Sequence, residues 1–305
     1  FQPPSVSEMN NAYVFSPSIF LSSRFTPRLT LGLGIYRPFG FSADWDWDIN
    51  NPTAASVAKE TNLRTISINP VASYQVSDIL SIAAGFRFVN GSFEFIRDDV
   101  TLINTDISGT GSGFNTGLQF RPADNITLGL AYKSEVSLSL DGNTSEVSGD
   151  PIPGLRQPSP VVTELKLPQS FAVGINWITE TQVTLEFDAV WFGWSSIDML
   201  DMSPASNSYN NNIVDFQLED KIQYRVGLEY NAANIMTFRT GVFLGSSPVK
   251  DSAIHPAFPD TDKEGASIGI GWTNSDGNLT IDLGYMHVFK NETFGPVTDE
   301  PGGIQ

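Results

Sequence analysis

The stretch Lys221–Leu244, KIQYRVGLEYNAANIMTFRTGVFL, decides the fold class. Apolar and polar residues alternate on both sides of the cluster NAAN, so the segment has a period of two and reads as a β-hairpin with two unlike faces. One face is a long apolar row, and the other carries Arg225, Glu229 and Arg239. Because a dry core does not accept several charges on one face, the charged face needs water and the apolar face needs a different environment.

The same pattern recurs around five other short turns, at residues 26–28, 76–78, 122–125, 178–181 and 273–278, which gives six hairpins and about twelve strands. Longer polar links separate the hairpins, at residues 37–62, 98–112, 141–164, 195–220, 245–265 and 290–305. Short turns that alternate with long loops are typical of an outer-membrane barrel, whose periplasmic turns are short and whose extracellular loops are long. We therefore predict an all-β, antiparallel transmembrane barrel that occupies residues 1–305 as a single domain.

Composition agrees with this class. Charged residues make up 17% of the 305 residues, whereas a soluble domain carries about 25%. The net charge of −17 argues against a nucleic-acid partner, and the absence of cysteine excludes disulfides and thiolate metal sites. We find no run of 18 apolar residues, so a transmembrane helix is not predicted, and barrel strands remain open because their signal is weaker.

One aromatic residue precedes each short turn, always on the apolar face of its strand. These residues are Phe25, Tyr74, Phe120, Trp177, Tyr230 and Trp272. Aromatic side chains concentrate where a barrel crosses the lipid–water boundary, so the six predict a girdle on the periplasmic side. The alternative is core aromatics at sheet ends.

Polar and charged residues repeat on the opposite face. Strand 126–140 places Lys133, Glu135, Ser137 and Ser139 there, and strand 182–194 adds Thr184, Glu186 and Asp188. A water-filled barrel lumen accommodates such a face.

Catalysis and metal binding are not predicted. His255 lies in a polar loop and His287 on an apolar face, so neither forms an evident Ser-His-Asp unit, and we expect no enzyme. The segment DWDWDIN places Asp44, Asp46 and Asp48 on one side of an extended loop. It lacks the glycine and distal glutamate of a calcium loop, which favours a solvated acidic loop over a cation site. No cofactor is expected.

Several stretches match a known family in consistent order. They are AYKSEVSLSLDGN (131–143), LKLPQSFAVGINW (165–177), AVWFGWSSID (189–198), YRVGLEYNAANIMTFRTGVFLGSSPVKD (224–251), FPDTDKEGASIGIG (258–271) and IDLGYMHVF (281–289). The chain resembles the outer-membrane long-chain fatty acid and hydrocarbon transporters, the FadL/TodX-like family.

This resemblance implies a fourteen-stranded barrel with an N-terminal hatch. Aligned with this family, the sequence is expected to lack the hatch and the first and last strands. Residues 29–38 correspond to the family's kinked third strand, through which ligand leaves sideways into the membrane. Gly32, Gly34 and Pro38 would weaken pairing there, although ordinary lumen-facing glycines are an equal alternative.

The resemblance implies a Gram-negative outer-membrane channel for passive uptake of long-chain fatty acids or related hydrocarbons. Such a channel captures ligand at the extracellular loops and passes it to a lumen pocket. We expect a monomer in contact with outer-membrane lipid and lipopolysaccharide. A general porin for small polar solutes and a surface adhesin or phage receptor are the alternatives.

Candidate ligand contacts are hydrophobic residues near the extracellular mouth, with cations for a carboxylate. The apolar candidates are Phe39, Phe41, Ile152, Leu155, Phe192, Trp194, Met199 and Phe216, and the cationic candidates are Lys133, Lys221, Arg225 and Arg239. For each cation taken singly, a structural network with the lumen carboxylates is the favoured alternative.

Overall fold

Strands make up nearly all of the regular structure in a computed structural model of the chain. The structure describes residues 9–10, 16–45, 57–98, 101–149, 158–197, 199–203, 213–232, 235–250 and 257–289. These contain a 3-10 turn at Trp194–Ser196 and the strands β1 (Ile19–Arg24), β2 (Leu29–Tyr36), β3 (Gly40–Asp44), β4 (Val57–Ser77), β5 (Leu80–Asp98), β6 (Thr101–Ala123), β7 (Ile126–Lys133), β8 (Val136–Gly149), β9 (Ser159–Leu167), β10 (Ser170–Ile178), β11 (Val183–Phe192), β12 (Met199–Asp201), β13 (Ile213–Asp215), β14 (Lys221–Ala232), β15 (Met236–Gly245), β16 (Lys263–Thr273) and β17 (Thr280–Phe289). Among the described residues, no helix is long and apolar enough to cross a membrane.

Twelve strands follow one antiparallel path, which runs β1-β2-β4-β5-β6-β7-β10-β11-β14-β15-β16-β17. The predicted number of strands is confirmed, and each predicted hairpin is a neighbouring pair on this path. Three strands lie off the path, since β3 pairs with β4, and β8 pairs with both β6 and β9. β12 and β13 form a separate two-stranded sheet.

The apolar face of the membrane-level strands is the outer one. On β5, Ile82, Phe86 and Phe88 are between 44% and 55% exposed. On β14, Val226 is 50% exposed, and its neighbours at the same spacing are exposed as well. A continuous exposed apolar belt around a sheet needs lipid rather than water as its solvent.

The apolar face reverses towards the long-loop ends of the strands. On β5, the inward residues Val89, Phe93 and Phe95 are at most 3% exposed, whereas the next three outward positions beyond Phe88 are polar, beginning with Asn90. Once a strand leaves the bilayer its outer face meets water, so apolar side chains turn inward to a core. The upper parts of the strands therefore pack like a water-soluble sheet.

In two neighbouring places the apolar residues change from the outer to the inner face at a break between two strands. β7 and β8 are separated by residues 134–135, and β9 and β10 by residues 168–169. Below the break Leu128 and Leu130 face lipid, whereas above it Leu138 and Leu140 are fully buried. The first break is held by the buried Arg87, whose Nη1 donates to the Ser134 carbonyl oxygen at 3.2 Å.

The breaks correct two parts of the sequence prediction. Strand 126–140 is not continuous, and beyond Glu135 its polar residues Ser137 and Ser139 lie on the exposed outer face. Residues 98–112 and 141–164 are not simply loops, because β6 begins at Thr101 and β8 and β9 extend through most of the second range. The outward residues of these strands are polar, so the sequence resembles that of a loop, although the alternate residues are buried.

A cluster of carboxylates lies on β3 and the upper part of β4 and β5, above the apolar belt. Asp44 is the cross-strand partner of Glu60. Burial, then the Glu94 carboxylate, then Asp44 raise the pKa of Glu60 above its ordinary value. A raised pKa in the folded state leaves stability unaffected at low pH and reduces it as pH rises through the folded pKa.

We therefore expect Glu60→Gln to increase the free energy of unfolding at pH 7, by less than about 1 kcal/mol because the group is partly solvated, and not at pH 4. Urea unfolding followed by tryptophan fluorescence at the two pH values measures this difference. Glu180→Gln, on a short turn at the other end of the barrel, is the control. An equal gain from Glu60→Gln at both pH values would show that the carboxylate repulsion is not its cause.

Candidate functional site

An apolar cavity of about 190 Å³ lies among the inward-facing residues at the long-loop end of the sheet. Its lining residues are Met9, Phe39, Gly40, Phe41, Ser42, Leu63, Phe93, Leu165, Leu167, Pro168, Trp194, Ile197, Phe216, Leu218, Phe258, Pro259, Asp260 and Lys263. The face reversal creates this cavity, because strands with apolar residues outside at membrane level turn apolar residues inside above it.

Aromatic rings from distant parts of the chain build the cavity wall. Phe41 and Phe258 meet edge to face with ring centroids 4.9 Å apart, and Phe216 lies 5.8 Å from Phe258. Phe39 packs edge to face on Trp194 at 5.9 Å. Such contacts hold large rings in place without polar groups, so the cavity presents a fixed apolar surface.

The charged residues of this cavity lie together at one place in its lining. Asp260 and Lys263 are the two charged residues in its lining, and Lys263 Nζ lies 2.5 Å from Asp260 Oδ1. The Lys263 side chain is 52% exposed and that of Asp260 is 12% exposed. The arrangement suits an apolar chain with one polar end near Lys263.

A second cavity, of about 560 Å³, lies in the lumen at membrane level and is lined by both apolar and charged residues. Its charged lining residues are Glu186, Asp188, Arg225, Glu229 and Arg239. Arg239 Nε donates to Glu229 Oε2 at 2.7 Å, and its Nη1 donates to Asp282 Oδ1 at 2.5 Å. The charged face of the opening hairpin thus lies inside, as predicted.

The structure separates the predicted ligand contacts into groups. Phe39, Phe41, Trp194 and Phe216 line the apolar cavity. Phe192 stands at its edge, with its ring 6.1 Å from that of Trp194, whereas Met199 is 57% exposed on β12 and does not line the cavity.

Ile152 and Leu155 lie outside the described residues.

The four predicted cations lie apart from the apolar cavity. Besides Arg239, Arg225 donates to Gln223 Oε1 through both Nε and Nη2. Lys221 pairs with Glu219 at 3.0 Å and, chiefly through that hydrogen bond, lowers the pKa of the Glu219 carboxyl. Lys133 Nζ lies 5.9 Å from the centre of the Tyr36 ring. Their part in ligand binding stays a prediction.

The wall strand β2 is interrupted where Pro38 stands. β2 ends at Tyr36 and β3 begins at Gly40, with a shift of one residue in their pairing to β4. The ladder is continuous through Gly32 and Gly34, and the interruption coincides with the proline, which cannot donate to a ladder. The part of these three residues in a lateral opening stays a prediction. β1 pairs with β2 only as far as Ile35, and in the described residues β3 pairs only with β4.

The predicted girdle residues lie within three residues of the strand ends at the short turns. Phe25, Tyr74, Trp177, Tyr230 and Trp272 are between 44% and 71% exposed on the outer face, and Phe120 is half-buried. Their role as a membrane-boundary girdle stays a prediction.

Comparisons with known proteins bear on this architecture. Residues 5–296 match the family described as "Outer membrane protein transport protein (OMPP1/FadL/TodX)". The chain belongs to this family. It is therefore an outer-membrane β-barrel of the fatty acid and hydrocarbon transporter group, and the fold class and location predicted from the sequence are confirmed.

The relatives of this FadL/TodX member are distant in sequence. The long-chain fatty acid transport protein of Salmonella typhi is 22% identical over 308 residues, covering 89% of this chain and 69% of its own. Outer membrane protein P1 of Haemophilus influenzae is 22% identical over 313 residues, covering 90% and 66%. The chain thus spans about two thirds of the length of these relatives.

Two solved structures show the same fold. The crystal structure of a Pseudomonas aeruginosa FadL homologue has a TM-score of 0.80 at 23% identity, covering 89% of this chain and 69% of its own. The Ralstonia pickettii toluene transporter TbuX has a TM-score of 0.69 at 16% identity, covering 92% and 79%.

The FadL/TodX motif FPDTDK holds site residues that sequence reasoning did not select. It contributes Phe258, Pro259, Asp260 and Lys263 to the apolar cavity, whereas at the level of sequence this segment was only one of the stretches that match the family. Asp260 Oδ2 also accepts a hydrogen bond from Ser247 Oγ at 3.3 Å. In the sequence, the apolar Phe258 before the turn and the cationic Lys263 after it were the features that could have indicated a ligand site.

Proposed function

We propose that this chain is a single outer-membrane barrel for passive uptake of long-chain fatty acids or related hydrocarbons, and not an enzyme. The observation that carries the proposal is the aromatic-lined cavity above the membrane-level strands, with Lys263 at its one charged end. An apolar cavity with a single polar corner suits a long apolar chain with a polar head. Names of relatives, which include fatty acid and toluene transporters, agree with hydrophobic cargo.

Ligand enters from the long loops and leaves sideways in this proposal. The apolar cavity adjoins the interruption of β2, since Phe39 lies in both. Beyond Ile35 the wall lacks a β1 partner in the described residues, and lipid lies on the outer side. The charged lumen cavity below is an unfavourable path for an apolar chain, which supports release into the membrane. The protein works as a monomer among outer-membrane lipid and lipopolysaccharide.

Oleate titration and single-channel recording together test the function. We expect saturable oleate binding and little conductance in planar bilayers. Trp194→Ala should weaken binding more than Phe192→Ala, because Trp194 lines the cavity and Phe192 only adjoins it. Unchanged binding in both variants, together with large open-channel currents, would favour a porin for polar solutes.

Lys263 is expected to recognise the ligand's carboxylate. We predict that Lys263→Gln weakens oleate binding about three- to tenfold, because one charge-assisted contact is lost, and leaves oleyl alcohol binding unchanged. Isothermal titration calorimetry with both ligands measures the difference.

Lys166→Gln is the matched control, because Lys166 lies between the cavity residues Leu165 and Leu167 but faces outward. An equal loss for acid and alcohol would mean that Lys263 only stabilises the FPDTDK turn.

A further inference from the structure

A third cavity, of about 310 Å³, lies at the short-turn end of the barrel, far along the strands from the apolar one. Three successive hairpin turns of the sheet supply it. Its lining residues are Arg24, Pro27, Arg28, Thr30, Ser73, Gln75, Asp78, Ile79, Ser81, Gln119 and Arg121. Apart from Pro27 and Ile79, the lining residues are all polar or charged.

Three guanidinium groups and one carboxylate, Asp78, share this cavity. The excess of positive charge is unusual in a chain with only 17 basic residues and a net charge of −17. Within the described part of the chain, Arg24 and Arg28 have no ion pair, and the Arg121 guanidinium donates only to Gln119 Oε1, from Nη2 at 3.2 Å. Like charges held together repel, so an anion among them is favoured.

Neutral donors complete the surroundings. The hydroxyl groups of Thr30, Ser73 and Ser81 and the amide groups of Gln75 and Gln119 line the same cavity. Guanidinium groups bind phosphate through paired N–H donors, and hydroxyl groups occupy the remaining oxygens. The chemistry therefore fits a phosphate group with several free oxygens.

The cavity lies at the level of the predicted aromatic girdle. Arg24 precedes the girdle residue Phe25, and Arg121 follows the girdle residue Phe120. Tyr74 stands between the lining residues Ser73 and Gln75. Because the lining residues alternate with these outward-facing rings, they face the lumen, at the level where such rings mark the headgroup region of a bilayer.

We propose that Arg24, Arg28 and Arg121 form a phosphate-binding site at the short-turn mouth of the barrel. The phosphate belongs either to a phospholipid headgroup or to a soluble phosphate. The site is separate from the apolar cavity and does not depend on the uptake function.

Binding of both phosphate sources tests the site in the purified protein. Native mass spectrometry counts phosphatidylglycerol retained from maltoside micelles, and isothermal titration calorimetry measures inorganic phosphate. Arg24→Gln, Arg28→Gln and Arg121→Gln should each weaken binding of at least one source up to about tenfold, because each removes charge-assisted hydrogen bonds. Arg64→Gln, an exposed arginine at the other end of β4, should have no effect.

The two sources give distinct results. Loss of retained phosphatidylglycerol alone assigns the site to lipid, and loss of phosphate binding alone assigns it to a soluble ligand. Arg28→Lys, which keeps the charge but not the paired donors, should give an intermediate loss. Heat-modifiable electrophoretic mobility identifies variants that do not fold. If neither source binds, or if the three folded variants bind like Arg64→Gln, the site does not exist.

Discussion

Replacing Phe41 and Phe258 together with alanine is expected to weaken oleate binding about a hundredfold, and each single change about tenfold. Their rings meet edge to face 4.9 Å apart and both line the apolar cavity. Each truncation removes apolar surface that a bound chain would cover. Fluorescence titration with a pyrene-labelled fatty acid, displaced by oleate, measures the affinity.

Phe187→Ala is the matched control for these variants. Phe187 is an aromatic of the same size that is 45% exposed on the outer face of β11. Its truncation should leave oleate affinity unchanged. If Phe187→Ala were as damaging as Phe258→Ala, oleate would be binding to the lipid-facing surface instead of the cavity.

Val226→Arg is expected to destabilise the barrel in a bilayer by about 2–4 kcal/mol, because it places a charge near the middle of the lipid-facing belt. The neighbouring change Gly227→Arg should be nearly neutral. An added Cβ at Gly227 would meet Glu186 Cβ at 3.7 Å, an ordinary contact, and the new guanidinium would face the lumen carboxylates. Urea-dependent folding into lipid vesicles measures both variants.

This pair tests the orientation of the hairpin directly, since the two residues are adjacent in β14 and lie on opposite faces. A larger cost for Gly227→Arg than for Val226→Arg would mean that the inner and outer faces have been exchanged.

The membrane-level part of the barrel was predictable because its alternation is strict. Arg225, Glu229 and Arg239 mark one face of the 221–244 hairpin, and the structure places that face in the lumen. However, alternation alone does not show which face of a strand points into the barrel. The same period of two describes Phe88, which faces lipid, and Phe93, which faces a core, so the reversal between them could not be predicted from the pattern.

The two strand breaks differ in how visible they are in the sequence. Pro168 marks the break between β9 and β10, because proline cannot donate to a ladder. The break at Ser134–Glu135 contains neither glycine nor proline, and its Ser134 carbonyl oxygen accepts a long-range hydrogen bond from Arg87. Only the tertiary structure reveals that contact.

Only part of the apolar cavity could be predicted from the sequence, because the reversal of the apolar face was not predictable. Phe39 and Trp194 stand near strand ends that precede long loops, where apolar residues are unexpected and therefore noticeable. Leu63, Leu165 and Leu167 belong to alternating strands and read as lipid-facing until the reversal is known.

Photo-crosslinking with a diazirine-bearing palmitic acid locates the bound chain most directly. The apolar cavity predicts that oleate competes with labelling and that the labelled peptides contain Phe41, Phe93 or Phe258. Labelling confined to outer-face residues such as Leu128 and Phe187, and unaffected by oleate, would contradict a ligand site inside the barrel.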